Sequence, residues 1–176
     1  GYRVLVVDDN PTNLKLLLQV LEGQGHSVMV ATSGQAALQI AQRARPDLVL
    51  LDVVMPELDG LEVCRRLKAE PETCGIPVIF LTARDQKEDV IEGFTAGGVD
   101  YVVKPFQEEE VLARVATHVQ LRRLQAAVEA KNRELEREIA QHQALKGQLS
   151  LLSRREAERW GLQALVGQSP TMRSIY

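Results

Sequence analysis

Five short runs rich in Val, Leu and Ile recur through the first hundred residues: Arg3–Val7, Ser27–Ala31, Asp47–Leu51, Pro77–Leu81 and Val99–Val103. Four are nearly continuous in apolar residues, the pattern of strands covered on both faces within a parallel sheet. Ser27–Ala31 alternates instead, which suits a strand at the edge. Helical periodicity fills the intervals, near 12–23, 34–44, 59–70 and 86–96. Gly23, Gly25 and the Gly97-Gly98 pair fall where helices should stop, and Pro46 and Pro77 mark the approaches to strands. Five such βα units predict an α/β fold, an open, doubly wound sheet of five parallel strands whose ligands bind beyond the carboxyl ends of the strands.

The pattern changes after residue 106. From Gln107 to Arg159 there is no proline, no aromatic residue and a single glycine, Gly147, while Ala, Leu, Glu, Gln, Arg and Lys dominate. These are good helix formers. A heptad started at Leu121 places Leu121, Leu124, Val128, Lys131, Leu135, Glu138, His142, Leu145, Leu149 and Leu152 on one seam, seven of the ten apolar. One isolated helix cannot bury such a stripe, so the expectation is a long helix over 107–159 that pairs with a second copy as a dimeric coiled coil. A helix folded back on the sheet, or a hairpin broken near Gly147, is the plainer alternative. His142 reads as a polar interruption of the seam.

Chemistry enters where the apolar runs end. Val4–Val7 leads into Asp8-Asp9, Asp47–Leu51 into Asp52, the fourth run into Thr82, and Tyr101–Val103 into Lys104. All of these fall on the one sheet edge where a ligand would sit. Phosphoryl transfer to a carboxylate needs a nucleophile, a divalent cation, a fixed positive charge and a hydrogen-bond donor. Asp8, Asp9 and Asp52 offer the oxygen ligands that Mg²⁺ prefers, Lys104 a positive charge and Thr82 a hydroxyl. Singly each has a plainer reading: Asp8-Asp9 as a helix cap, Lys104 as a solvated charge.

Together, Val6-Val7-Asp8-Asp9-Asn10, Leu51-Asp52-Val53-Val54-Met55-Pro56, Leu58-Asp59-Gly60, Leu81-Thr82-Ala83 and Val103-Lys104-Pro105-Phe106 make residues 3–120 resemble the receiver domain of two-component response regulators. The resemblance implies a flavodoxin-like receiver domain over 1–120. It implies that Asp52 accepts a phosphoryl group from a cognate histidine kinase, and that Asp8, Asp9, Asp52 and the backbone carbonyl of Val54 hold Mg²⁺. Thr82 and Lys104 match the phosphate-binding switch residues, and Tyr101 matches the switch aromatic. The Lys104–Pro105 bond is expected to be cis. Val54 and Ala83 sit where that family tunes phosphoryl lifetime.

Composition narrows the remaining readings. The net charge of −3 gives no drive toward nucleic acid or anionic membrane. Residues 107–159 carry ten Lys or Arg against nine Asp or Glu, a mixed-charge helix rather than a DNA-binding one. No apolar stretch approaches the ~20 residues of a membrane span, and Cys64 and Cys74 form no metal-ligand pattern, as in a cytoplasmic protein with reduced thiols. The chain opens on Gly1 and is expected to be a portion of a longer protein. Leu165–Arg173 resembles the opening of the AAA+ ATPase domain of sigma-54-dependent activators, so 160–176 is expected to begin an output domain. No phosphate-binding Gly-x-x-x-x-Gly-Lys-Ser/Thr loop occurs, and a haloacid-type hydrolase would want an aspartate where Val54 stands. The chain is therefore expected not to be an enzyme. A receiver controlling a cyclase or kinase, and a stand-alone relay module, are the alternatives.

Overall fold

A computed structural model describes residues 1–83 and 87–161. Its strands are β1 (Arg3–Val7), β2 (Ser27–Ala31), β3 (Leu48–Asp52), β4 (Val78–Ala83) and β5 (Asp100–Lys104). Its helices are α1 (Pro11–Gly23), α2 (Gly34–Ala44), α3 (Gly60–Ala69), α4 (Lys87–Thr95) and α5 (Glu108–Arg159). The strands form one wholly parallel sheet in the order β2-β1-β3-β4-β5, so the alternating run Ser27–Ala31 is indeed an edge. Most boundaries differ by a residue or so from the sequence expectation. The shift matters at two places, because Asp52 and Lys104 are the last residues of their strands and not the first residues after them.

The two faces of the sheet bury separate cores. Val4, Val6, Leu48, Leu50, Ile79, Leu81 and Val102 meet Leu14, Leu17 and Leu21 of α1 and Val111, Val115 and Val119 of α5. Leu5, Val7, Val49, Leu51, Val78 and Phe80 meet Ala37 and Ala41 of α2 and Leu61, Val63, Cys64 and Leu67 of α3. The alternation of side chains along each strand assigns them to these two layers, which is why the runs read as continuous. Burial pushes the Cys64 thiol up to about 11, while Cys74 is exposed.

Local sequence sets the helix starts. Asn10 caps α1, accepting from the Thr12 amide at 2.9 Å with Pro11 in the first turn; Ser33 caps α2 and Asp59 caps α3. Asp8 and Asp9 therefore do not serve as the cap. The α2–β3 connection turns at Arg45, a left-handed residue with φ 46°. Residues Gly1–Gln125 form one compact unit, and the helix from Ala126 onward belongs to a second. Helix α5 runs through Gly147 without a break, so the hairpin alternative does not occur. Among the described residues no helix is long and apolar enough to cross a membrane.

One glycine holds the main chain at the site. A Cβ at Gly60 would stand 2.0 Å from the carbonyl oxygen of Asp52, a backbone atom, while the Gly60 amide donates to Val53 at 2.9 Å. Gly60→Ala is expected to cost about 2 kcal/mol or more in chemical denaturation, as overpacking against backbone does. Gly147→Ala, with nothing within 4 Å, is the comparison: it should leave the unfolding midpoint of the receiver unit unchanged and raise helix content.

Candidate functional site

The site lies where the strand order reverses, between β1 and β3, at the carboxyl edge of the sheet. Strand β1 delivers Asp8, β3 delivers Asp52, β4 delivers Thr82 and β5 delivers Lys104. Asp8 is fully buried, Asp52 and Thr82 nearly so, and Asp9 is exposed at the rim. Five residues that the sequence placed on one edge are thus distributed around one point, except that no contact ties Thr82 to the acidic group. Its hydroxyl donates instead to the neighbouring Ala83 carbonyl at 3.3 Å.

Lys104 organises the charges. Its Nζ lies 2.8 Å from Asp52 Oδ2 and 3.1 Å from Asp8 Oδ2. The Val54 amide donates to Asp52 Oδ1 at 3.2 Å, and the Asn10 amide to Asp8 Oδ1 at 2.8 Å. The Lys104–Pro105 bond is cis, as expected. Burial raises the Asp52 carboxyl above its ordinary value; the Lys104 hydrogen bond opposes that and the nearby Asp8 charge adds to it. Burial alone would lower Lys104, but the hydrogen bonds and charges of Asp52 and Asp8 outweigh it and raise the ammonium above the usual lysine value.

Ligand oxygens of Asp8, Asp9 and Asp52 all lie within 4.8 Å of one another. Two of the three carboxylates, Asp8 and Asp52, share one ammonium, which leaves a surplus of negative charge among hard oxygen donors. That donor set fits a divalent cation such as Mg²⁺. Val54 carries its side chain outward, 58% exposed, while its amide turns in to Asp52.

Tyr101 is half-buried on β5. Its ring meets Phe94 edge-on at 6.3 Å between centroids and lies 5.8 Å from the guanidinium of Arg114. Arg114 in turn pairs with Asp100 and Glu110, and His118 with Asp100. One residue near the acidic group escaped the sequence reading: Asn13 donates its Nδ2 amide to Asp8 Oδ2 at 3.0 Å. Gly60, quoted there only as part of a motif, makes room for the Asp52 main chain. The signal for Asn13 was its place one residue before Leu14, on the first turn of the helix that follows Asp8-Asp9.

The charge arrangement makes a stability prediction. A carboxyl whose folded value is raised stabilises the fold fully below its unfolded value, and that contribution is lost as pH rises through the folded value. At neutral pH the ionised Asp52 is therefore a cost without bound cation. Asp52→Asn keeps an acceptor for Lys104 and Val54 but removes the charge. In chelator it should unfold later than wild type, by about 4 °C for a gain of ~1 kcal/mol. Added Mg²⁺ should raise the wild-type midpoint more than that of the variant, narrowing the gap.

Known proteins supply the context. Residues 4–116 match the response regulator receiver domain. The chain is 46% identical over 112 residues to the probable transcriptional regulatory protein TcrX of Mycobacterium tuberculosis, covering 64% of this chain and 47% of that one. It is 43% identical over 136 residues to a probable cyclic di-GMP phosphodiesterase of Vibrio cholerae, covering 77% and 31%. It thus spans less than half the length of either. Among solved structures, a putative response regulator from Chloroflexus aurantiacus superposes with a TM-score of 0.67 at 38% identity, covering 68% of this chain and 98% of that one. The receiver domain of the sensor histidine kinase PA1611 from Pseudomonas aeruginosa, described with a magnesium ion coordinated in its active-site cleft, gives 0.64 at 32%, covering 68% and 98%. NtrX from Brucella abortus, crystallised with ATP, gives 0.69 at 25%, covering 73% and 29%. The matched span takes in all five strands and every residue of the acidic group, and this chain belongs to the response regulator receiver family of two-component systems.

Proposed function

We propose that this chain is the phosphoacceptor portion of a response regulator, taking a phosphoryl group from a cognate histidine kinase onto Asp52. The observation that carries the reading is a buried carboxylate 2.8 Å from a buried-side ammonium, with two further carboxylates alongside. In the reaction a carboxylate oxygen of Asp52 forms a bond to phosphorus as the phosphorus–nitrogen bond of the donor phosphohistidine breaks, leaving an acyl phosphate and a free imidazole. Asp8, Asp9, Asp52 and the main-chain carbonyl of Val54 are the groups that would hold Mg²⁺. When bound, the ion neutralises charge on the phosphoryl oxygens.

The chain's own residues do the rest. Lys104 can turn from the carboxylates to a phosphoryl oxygen. Thr82 has only a weak local hydrogen bond to give up, so its hydroxyl is free to swing toward the new acceptor. Its departure opens space behind it for the half-buried Tyr101 ring, which reshapes the surface of α4, β5 and α5. Phosphorylation biases two conformations of that surface.

The readout is assigned to the linker. Leu121, Leu124, Val128, Leu135, Leu145, Leu149 and Leu152 are all exposed on α5, between 44% and 60%, a stripe that a second copy would cover as a homodimeric coiled coil. The output is then a sigma-54-dependent activator ATPase. The likeness to NtrX and the resemblance of Leu165–Arg173, which lies outside the described residues, support this reading. TcrX, described as a transcriptional regulator, supports transcription more broadly. The Vibrio phosphodiesterase favours the second reading, a catalytic output on the same kind of receiver. A cyclase or kinase output belongs to that alternative, and a stand-alone relay is a third. In each case this portion itself is a cytoplasmic switch that binds neither nucleic acid nor membrane and catalyses no turnover beyond loss of its own phosphoryl group.

Two outcomes test the proposal. With acetyl phosphate and Mg²⁺, intact mass should rise by one phosphoryl group in wild type and not in Asp52→Asn; a gain that survives in the variant would move the acceptor elsewhere. The wild type should scatter light as a dimer, and Leu124→Glu with Leu149→Glu should give a monomer that still takes phosphate, with affinity lowered at least about a hundredfold for two buried leucines lost.

A further inference from the structure

Helix α5 is held on the receiver by its buried valines and by two polar contacts. Arg114 binds Asp100, the first residue of β5. The second polar contact also lies at the amino-terminal edge of the strands, ahead of β1 and β3, where sequence gave no hint of it. Arg122 is half-buried, and its Nη1 donates to the carbonyl oxygens of Pro46 at 2.9 Å and Asp47 at 3.0 Å, 76 and 75 residues away. The next residue, Arg123, lies over the ring of Tyr2 at 4.4 Å, and Tyr2 stacks on His26 at 5.2 Å with its amide donating to His26 Nδ1.

The groups gripped there belong to a rigid corner. Arg3 donates to the carbonyls of Ala44 and Arg45, and its amide donates to Asp47 Oδ2. The carboxyl end of α2 therefore has its carbonyls capped by the Arg3 guanidinium from β1, which answers the unpaired acceptors every helix end presents, while Arg122 holds the two carbonyls of the connection that follows. The Asp47 amide adds a 2.7 Å bond to Arg3.

We infer that Arg122 and Arg123 form a latch at the base of the receiver, which fixes the axial and rotational position at which α5 becomes the linker. Two bonds from one guanidinium to successive carbonyls resist sliding along the helix axis, and a guanidinium laid on a ring resists rotation. The latch sits between Leu121 and Leu124, the first two seam positions, which are exposed. Val111, Val115 and Val119 face the sheet, and at 100° per residue Leu121 and Leu124 point to the other side of the helix. The latch thus holds Leu121 and Leu124 turned away from the sheet. A change of the α5 face that meets Tyr101 is then transmitted as a tilt or twist about a held base, because sliding would break the Arg122 bonds.

The coupling half of this inference rests on the linker reading above; the latch itself does not. Hydrogen exchange on the full chain separates them. In Arg122→Ala with Arg123→Ala, amides of residues 116–125 should exchange at least about tenfold faster, with strand amides unchanged and Asp52 still phosphorylated by acetyl phosphate. Should that variant fail to fold, Arg122→Met with Arg123→Met keeps the aliphatic stems but removes the donors and the charge, and should show the same loss. Arg133→Ala, further along α5, should leave 116–125 as in wild type. Unchanged protection in the folded latch variants overturns the latch. If wild type changes its assembly on phosphorylation, the latch variants should lose that change, and its full retention overturns the coupling. If wild type itself shows no such change, the linker reading fails, while the exchange data still decide the latch.

Discussion

Asp8 and Asp52 are buried within reach of the same ammonium, and most of the receiver serves to keep them there. Two carboxylates that close repel one another, and burial strengthens the repulsion by removing water. Lys104 offsets one charge. The Asn10 and Val54 amides and the Asn13 side chain each donate a hydrogen bond to the pair, but hydrogen bonds do not remove the remaining charge. The fold therefore keeps an electrostatic deficit at its sheet edge, and a cation or a change in charge at Asp52 acts on a site already under tension.

Only a parallel sheet with a reversal in strand order puts these groups together so economically. Asp8, Asp52 and Lys104 come from three strands whose carboxyl ends share an edge, and their backbones are fixed by ladder bonds buried between two helix layers. The Gly60 approach to the Asp52 carbonyl, at a distance that leaves no room for a side chain, ties α3 to the same point. The site is rigid on the side of β1 and β3. On the side of β4 and β5 the Thr82 hydroxyl bonds its neighbour Ala83 rather than the acidic group among the described residues, and Tyr101 is half-buried; that is the side assigned to the switch.

Much of this was legible in the chain. Buried strands announce themselves as unbroken Val and Leu runs, and the first polar residue at each end marks the ligand edge, so Asp8, Asp52, Thr82 and Lys104 could be named before any coordinates. Val53 and Val54 look alike in sequence, yet Val53 is buried and Val54 is exposed, because only the turn after β3 decides which way each faces. Asn13 was missed for a related reason: periodicity tells which face of a helix is apolar, and says nothing of which polar residue reaches a neighbouring loop. The arginines at the base of α5 were hidden more deeply. Arg122 bonds to main-chain carbonyls, which have no sequence signature, across more than seventy residues, and Arg123 meets a ring at the other end of the receiver sequence.

The unbroken passage of α5 through the edge of the receiver has a consequence for how such proteins exchange parts. A helix turns by about 100° for each residue, so a domain joined beyond it inherits an angular setting from the number of residues between. Recombination that adds or removes a whole heptad leaves that setting nearly intact, and a single inserted residue redirects whatever follows. The helix therefore acts as a ruler marked in sevens, on which chain length sets the direction in which α5 leaves its last turn.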